Sequence, residues 1–151
     1  MYILMTGKHE NLYWYALHWG FVASNWKLDP FSVTCNFEKG LHNAIRGQFV
    51  GSILNGCLFH WKQGIRRKMI FLKINAKLIK LAMTKNVLDI LTILPQDGIF
   101  SNGIVYVRDI IDAERKDVER VKEWDFFWNN YFKKYWMSSE EFIKTWNIYD
   151  E

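Results

Sequence analysis

A chain of 151 residues, half of them hydrophobic, 17% aromatic and with eight Trp, is too apolar for disorder and long enough for one packed core. A formal charge of +4 suits contact with nucleic acid without requiring it, and two Cys exclude a disulfide framework. No run approaches the roughly 18 apolar residues of a membrane helix. Met1–Lys8 also lacks the basic segment and long apolar run of a secretory signal, so a nuclear or cytoplasmic location is expected.

Tyr2–Met5 is a short apolar run stopped by Thr6-Gly7, which predicts a buried strand. From Glu10 to about Val22 the spacing predicts a helix. Leu12, Tyr15, Ala16 and Trp19 form one stripe, thickened by Trp14, Leu17, Phe21 and Val22, so the helix is expected to pack on a sheet face. After Pro30, Phe31, Val33 and Cys35 alternate with Ser32 and Thr34, the period of a strand. Asn36 follows where a helix should begin, and Phe37, Leu41, Ala44 and Ile45 recur at helical spacing towards Gln48. Asn is among the best helix N-caps, and Glu38 in the first turn favours the positive helix end. Ser52–Leu58 is a third strand. Strands alternating with helices predict a parallel sheet with covering helices.

Beyond this point the pattern is helical. Trp61 to about Thr84 reads as basic and apolar helix, in one piece or broken in two near Asn75. Val87–Leu94 is a short apolar helix stopped by Pro95, Gln96–Gly103 a loop, and Ile104 to about Ala113 a further helix. Lys116–Trp136 carries Val118, Val121, Trp124, Phe127, Trp128 and Tyr131 at helical spacing. Ser138 with Glu141 resembles a capping box opening a last short helix. With no repeat or linker, the chain reads as a single domain over 1–151, α/β over 1–60 and mainly helical over 61–151.

Three groups of residues bear chemistry. Cys57 and His60 form a Cys-x-x-His pair, half of a zinc site. Cys35 with His42 or His18 offers no second pair of ligand spacing, so a supporting role is expected. On an unbroken helix Lys62, Arg66, Lys73, Lys77 and Lys80 span about 60° of the wheel. Arg67 lies off that stripe, as does Lys68, but joins the candidates for phosphate contact, because Lys and Arg neutralise a nucleic-acid backbone regardless of its sequence. The aromatic series from Trp124 to Trp136 has the faces to stack bases, but its helical spacing favours packing.

Thr34-Cys35-Asn36-Phe37-Glu38, followed by Asn55-Gly56-Cys57-Leu58-Phe59-His60, closely resembles the signature of the Mutator-like transposases, which reads Asp-Phe-Glu and then Gly-Cys-x-x-His. The resemblance continues through Glu123-Trp124, Phe127-Trp128, Tyr131-Phe132 and Trp136 to Trp146-Asn147-Ile148. It implies a partial RNase H-like core of about three strands with covering helices, then an all-helical insertion. It further implies a parental activity of metal-dependent DNA cleavage and strand transfer, with three acidic residues holding two Mg²⁺ or Mn²⁺ ions. Asn36 stands at the second of those acids. The first lies upstream of the region resembling Tyr2–Met5 and the last downstream of Trp-Asn-Ile. An amide oxygen anchors a hard cation far more weakly than a carboxylate does. The resemblance therefore implies a fragment that is catalytically inert and holds no cofactor, with Glu38, Cys57 and His60 as supporting motif positions. DNA and a full-length transposase are the expected partners, with no membrane and no small-molecule substrate. The alternative is a non-catalytic DNA- or transposase-binding protein retained by the host.

Overall fold

The computed structural model describes residues 3–115 and 121–149, and the chain divides into two compact units, Met1–His60 and Trp61–Glu151. Together they make a mixed α/β protein, mostly helical, with one small parallel sheet. Among the described residues no helix is long and apolar enough to cross a membrane.

The first unit is built on helix α1 (Glu10–Ala23), strand β1 (Ser32–Cys35), helix α2 (Lys39–Gln48) and strand β2 (Ile53–Gly56). α1 ends where Asn25 and Trp26 take left-handed backbone, with φ of 54° and 62°. β1 and β2 pair in parallel, Ser32 opposite Ile53 and Cys35 opposite Gly56. The Ser52 hydroxyl, donating to the Pro30 carbonyl, and the Ile53 amide, 2.9 Å from the Phe31 carbonyl, set this register from the entry side. Ile3–Met5 is not a strand. An extended segment needs a neighbouring ladder for its amides and carbonyls, and the described residues offer it none. Among the described residues the sheet thus has two strands where three were expected, and an RNase H-like core does not follow from it.

α1 packs on α2 with both helices running the same way. Asn43 Nδ2 donates to Glu10 Oε2 at 2.7 Å near their starts, and the Phe21 and Phe49 rings stack at 5.3 Å near their ends. The buried positions of α1 are Tyr13 and Gly20. Tyr15 and Trp19, assigned to the inner stripe by periodicity, are exposed. α2 approaches closely at Gly40, which lies against the Lys8–Glu10 backbone, while Gly47 faces the Trp14 ring at ordinary contact distance.

The second unit takes in most of helix α3 (Leu58–Phe71) and all of helix α4 (Ala76–Ala82). α3 stops where Lys73 turns left-handed (φ 58°) and the Ile74 amide bonds back to the Met69 carbonyl at 3.1 Å. Asn75 then caps α4, its Oδ1 accepting from the Lys77 amide at 2.8 Å. Leu88–Thr92 is a 3₁₀ turn, shorter and tighter than the expected helix. Gln96–Gly103, expected as a loop, is instead wound as helix α5 (Gln96–Gly98) and a π turn (Ile99–Gly103) that runs into helix α6 (Ile104–Arg115). Pro95 opens this stretch with its fixed φ, and Gly103 lets Leu91 and Leu94 press on the backbone.

Residues 116–120 of the expected long helix lie outside the described residues. Its remainder is helix α7 (Val121–Phe126) continuing as a π-helix over Phe127–Trp136. Trp128, Phe132 and Trp136 recur every fourth residue and are all buried. The wider π winding keeps them closer to one line than 3.6 residues per turn would. Helix α8 (Glu140–Lys144) is capped by Ser139, whose Oγ accepts from the Phe142 amide at 3.1 Å, rather than by Ser138. Asn147 Nδ2 donates to the Leu91 and Leu94 carbonyls, at 3.1 and 2.8 Å, and the Ile148 amide to the Thr92 carbonyl at 2.7 Å. The Trp-Asn-Ile motif thereby locks the chain end onto the 3₁₀ turn.

Candidate functional site at the strand ends

A parallel pair sends both of its chains out at the same edge, the position where α/β folds gather their sites. β1 leaves into Asn36 and β2 into Cys57, and the Cys57 amide, 2.7 Å from the Cys35 carbonyl, extends the pairing by one residue. Asn36 does not cap α2 directly. The helix starts at Lys39 with Glu38 as its N-cap residue, and Asn36 Oδ1 accepts from the Glu38 amide at 3.0 Å. This is an Asx turn, the local bond that short amide side chains make two residues along. The turn carries the chain from strand to helix, so the residue stabilises the helix entry from one step outside it.

Glu38 is the centre of a polar network. Its Oε1 accepts from Lys8 Nζ at 2.7 Å and from Asn36 Nδ2 at 3.3 Å, and its Oε2 accepts from the Tyr13 hydroxyl. The Lys8 ammonium, then the Tyr13 hydroxyl, hold its carboxyl below the usual carboxylate range. Reciprocally, Tyr13 is pushed up to about 12, chiefly by its hydrogen bond to Glu38. On the other side of the turn, His42 Nε2 lies 2.7 Å from the Asn36 carbonyl, so Nε2 carries the proton and donates. His42 is only 4% exposed, and burial pulls its basicity down. The Cys35 thiol donates to the same carbonyl at 3.2 Å, and burial pushes it up to about 11. These are groups held in their resting protonation states, with no activated nucleophile among them.

The donor set does not fit a pair of divalent cations. Both ends of the Asn36 amide are engaged, and the one carboxylate of the turn is neutralised by Lys8. Among the described residues no group of three or more His, Cys, Asp or Glu is arranged to hold a metal ion.

The structure brings Asn36 and Glu38 into one network and sets Cys57 beside its backbone. His60, on the first turn of α3, is exposed and rests its ring edge-on against Phe59 at 5.5 Å. Lys8 and Tyr13 join the site unannounced by the sequence, and His42, which the sequence offers only as an unsupported zinc ligand, joins it through the Asn36 carbonyl. His42 carries a faint signal, one turn into the helix that Asn36 introduces. Lys8 and Tyr13 carry none, since they lie 30 and 25 residues from Glu38 along the chain.

The basic candidates belong to the second unit, where the break at Lys73 divides the expected stripe. Lys62 pairs with Asp89 at 2.7 Å and Lys77 with Glu114 at 2.8 Å. Arg66, Arg67, Lys73 and Lys80 are exposed.

The tie between Tyr13 and Glu38 predicts a pH dependence. Raised in the fold, the Tyr13 pKa makes a contribution that is full below the ordinary tyrosine value of ~10. That contribution is lost as pH climbs from there to about 12. Glu38 is depressed, so its contribution is full above the ordinary carboxylate range and is lost as pH falls through its folded value. Glu38→Gln should return the Tyr13 titration, followed by ring NMR, towards ~10 and flatten the alkaline loss of stability. An unmodified protein whose Tyr13 already titrates at ~10 would remove the tie.

Compared with family models, curated proteins and solved structures, the chain has no match.

Proposed function

We propose that this chain is a transposase-derived domain of the Mutator-like type that does not itself cleave DNA. The observation carrying the reading is the turn after β1. There an amide stands at the position where the resembled signature has its second acid, and that amide is committed to holding the entry to α2. The neighbouring Gly-Cys-x-x-His stretch leaves the adjacent parallel strand at the same edge, which supports the resemblance. Replacing Asp by Asn preserves the turn, since both side chains accept from the following amides, while it removes the charge that two-metal hydrolysis requires. A fold of this kind survives the loss of its chemistry.

The test is nicking of supercoiled DNA with Mg²⁺ or Mn²⁺, run with a chelator control. The unmodified chain and Asn36→Asp should both stay at background, because one restored carboxylate beside a Lys-paired Glu38 does not fix two ions. Chelator-sensitive nicking by the unmodified chain would overturn the proposal. Retention as a DNA-binding protein is the competing reading, favoured by the exposed Arg66, Arg67 and Lys80. It predicts a steep fall of DNA affinity with salt.

A further inference from the structure

Residues 58–88 hold eight Lys or Arg and no Asp or Glu. Among the described residues two of the eight are paired from elsewhere in the second unit, Lys62 with Asp89 and Lys77 with Glu114. Arg66 and Lys80 make no ion pair among the described residues, and they come together across a cleft of about 510 Å³ between α3 and α4. The floor of that cleft is apolar, formed chiefly by Ile70, Ile79 and Met83. Ile70 is 49% exposed, and the adjoining Phe71 is 75% exposed.

We infer that this cleft docks an acidic amphipathic segment of a protein partner, with apolar side chains seated between the helices and carboxylates meeting Arg66 and Lys80. The inference does not rest on the transposase reading. Charge complementarity selects an acidic partner, because the whole α3–α4 stretch lacks a carboxylate of its own. The apolar floor then selects protein over nucleic acid. Phosphates reward exposed cations but offer nothing to Ile70, Ile79 and Met83, whereas a protein interface has an apolar centre and a polar rim. A helix laying its apolar face into a groove is a recurring way of meeting such a surface.

The probe is a fluorescein-labelled peptide with Leu spaced one helical turn apart and Glu between, titrated against the full chain by anisotropy. A control peptide has the same composition with Leu dispersed around the helix. Charge reversal by Arg66→Glu with Lys80→Glu should weaken binding about tenfold or more, and Ile70→Ser should weaken it several-fold at unchanged charge. All three residues are exposed, so the variants should keep the parent melting transition. Should the double reversal fail to, Arg66→Gln with Lys80→Gln replaces it, with the same direction of effect. Equal binding of the dispersed peptide, or no loss in the charge variants, would overturn the inference. So would displacement of the peptide by duplex DNA that itself loses affinity in the same variants, which would assign the cleft to nucleic acid.

Discussion

Trp61→Ala should destabilise the second unit by about 3–5 kcal/mol, the range for removing a large ring from a closed core. Trp61 is fully buried, and its ring lies 5.5 Å from Trp146, 6.0 Å from Trp136 and 6.3 Å from Phe132. Those three come from the π-helix and from the chain end beyond α8, so the cavity left by Ala opens between elements far apart in sequence. Collapse into it is opposed by the Trp146 indole, which donates to the Trp136 carbonyl at 2.8 Å and fixes both partners. Trp61→Phe separates packing from polarity. The Trp61 Nε1 has no hydrogen-bond partner among the described residues. Phe removes that unsatisfied donor while leaving a smaller void, so its cost should stay below about 1.5 kcal/mol. Trp19→Ala is the control: at 62% exposed it should fall within about 0.5 kcal/mol of the parent. Urea unfolding followed by far-UV circular dichroism reads all three. Equal losses for Trp61→Ala and Trp19→Ala would deny the aromatic core.

The contrast between Trp61 and Trp19 shows where sequence periodicity carries information and where it stops. Both are Trp at helical spacing in apolar stretches. Burial of Trp61 is legible, because Ile65 and Met69 repeat its face along α3. Exposure of Trp19 is not, because the face of α1 that meets α2 is settled by tertiary packing, which a hydrophobic count ignores. The same division runs through the site. Alternation marks β1 because a half-buried strand must alternate, whereas Asn36 reads as a helix cap and instead makes an Asx turn one step outside it, with Glu38 in the cap position. Lys8 and Tyr13 reach Glu38 only through the folding of α1 against α2, and no local pattern encodes that meeting. Ile3–Met5, the described part of the expected first strand, fails for the opposite reason. Its residues suit a strand, but strand propensity is realised only where a neighbour completes the ladder.

Gly40 and Gly47 turn the same contact into a prediction of sign. Both lie in α2, and Gly→Ala in a helix interior ordinarily gains about 0.5–1 kcal/mol from the reduced freedom of the unfolded chain. At Gly47 a new Cβ would lie 3.9 Å from the Trp14 ring, an ordinary van der Waals separation, so Gly47→Ala should be stabilising by that amount. At Gly40 it would lie 3.0 Å from the Glu10 amide nitrogen and 3.3 Å from the Lys8 carbonyl. These are backbone atoms with no rotamer to move, and overpacking of this kind costs about 1–3 kcal/mol. Gly40 also sits in the first turn of α2, where the propensity gain is smaller, so the clash wins and Gly40→Ala should be destabilising by about 1–2 kcal/mol. The damage should reach the polar network, because the chain pushed away carries Lys8, the partner of Glu38. Gly40→Ala is therefore expected to lower the Tyr13 pKa from about 12 while Gly47→Ala leaves it in place. Unfolding midpoints of the two variants, measured side by side, decide the matter: a shift of both in the stabilising direction would mean that α1 does not cross α2 at Gly40.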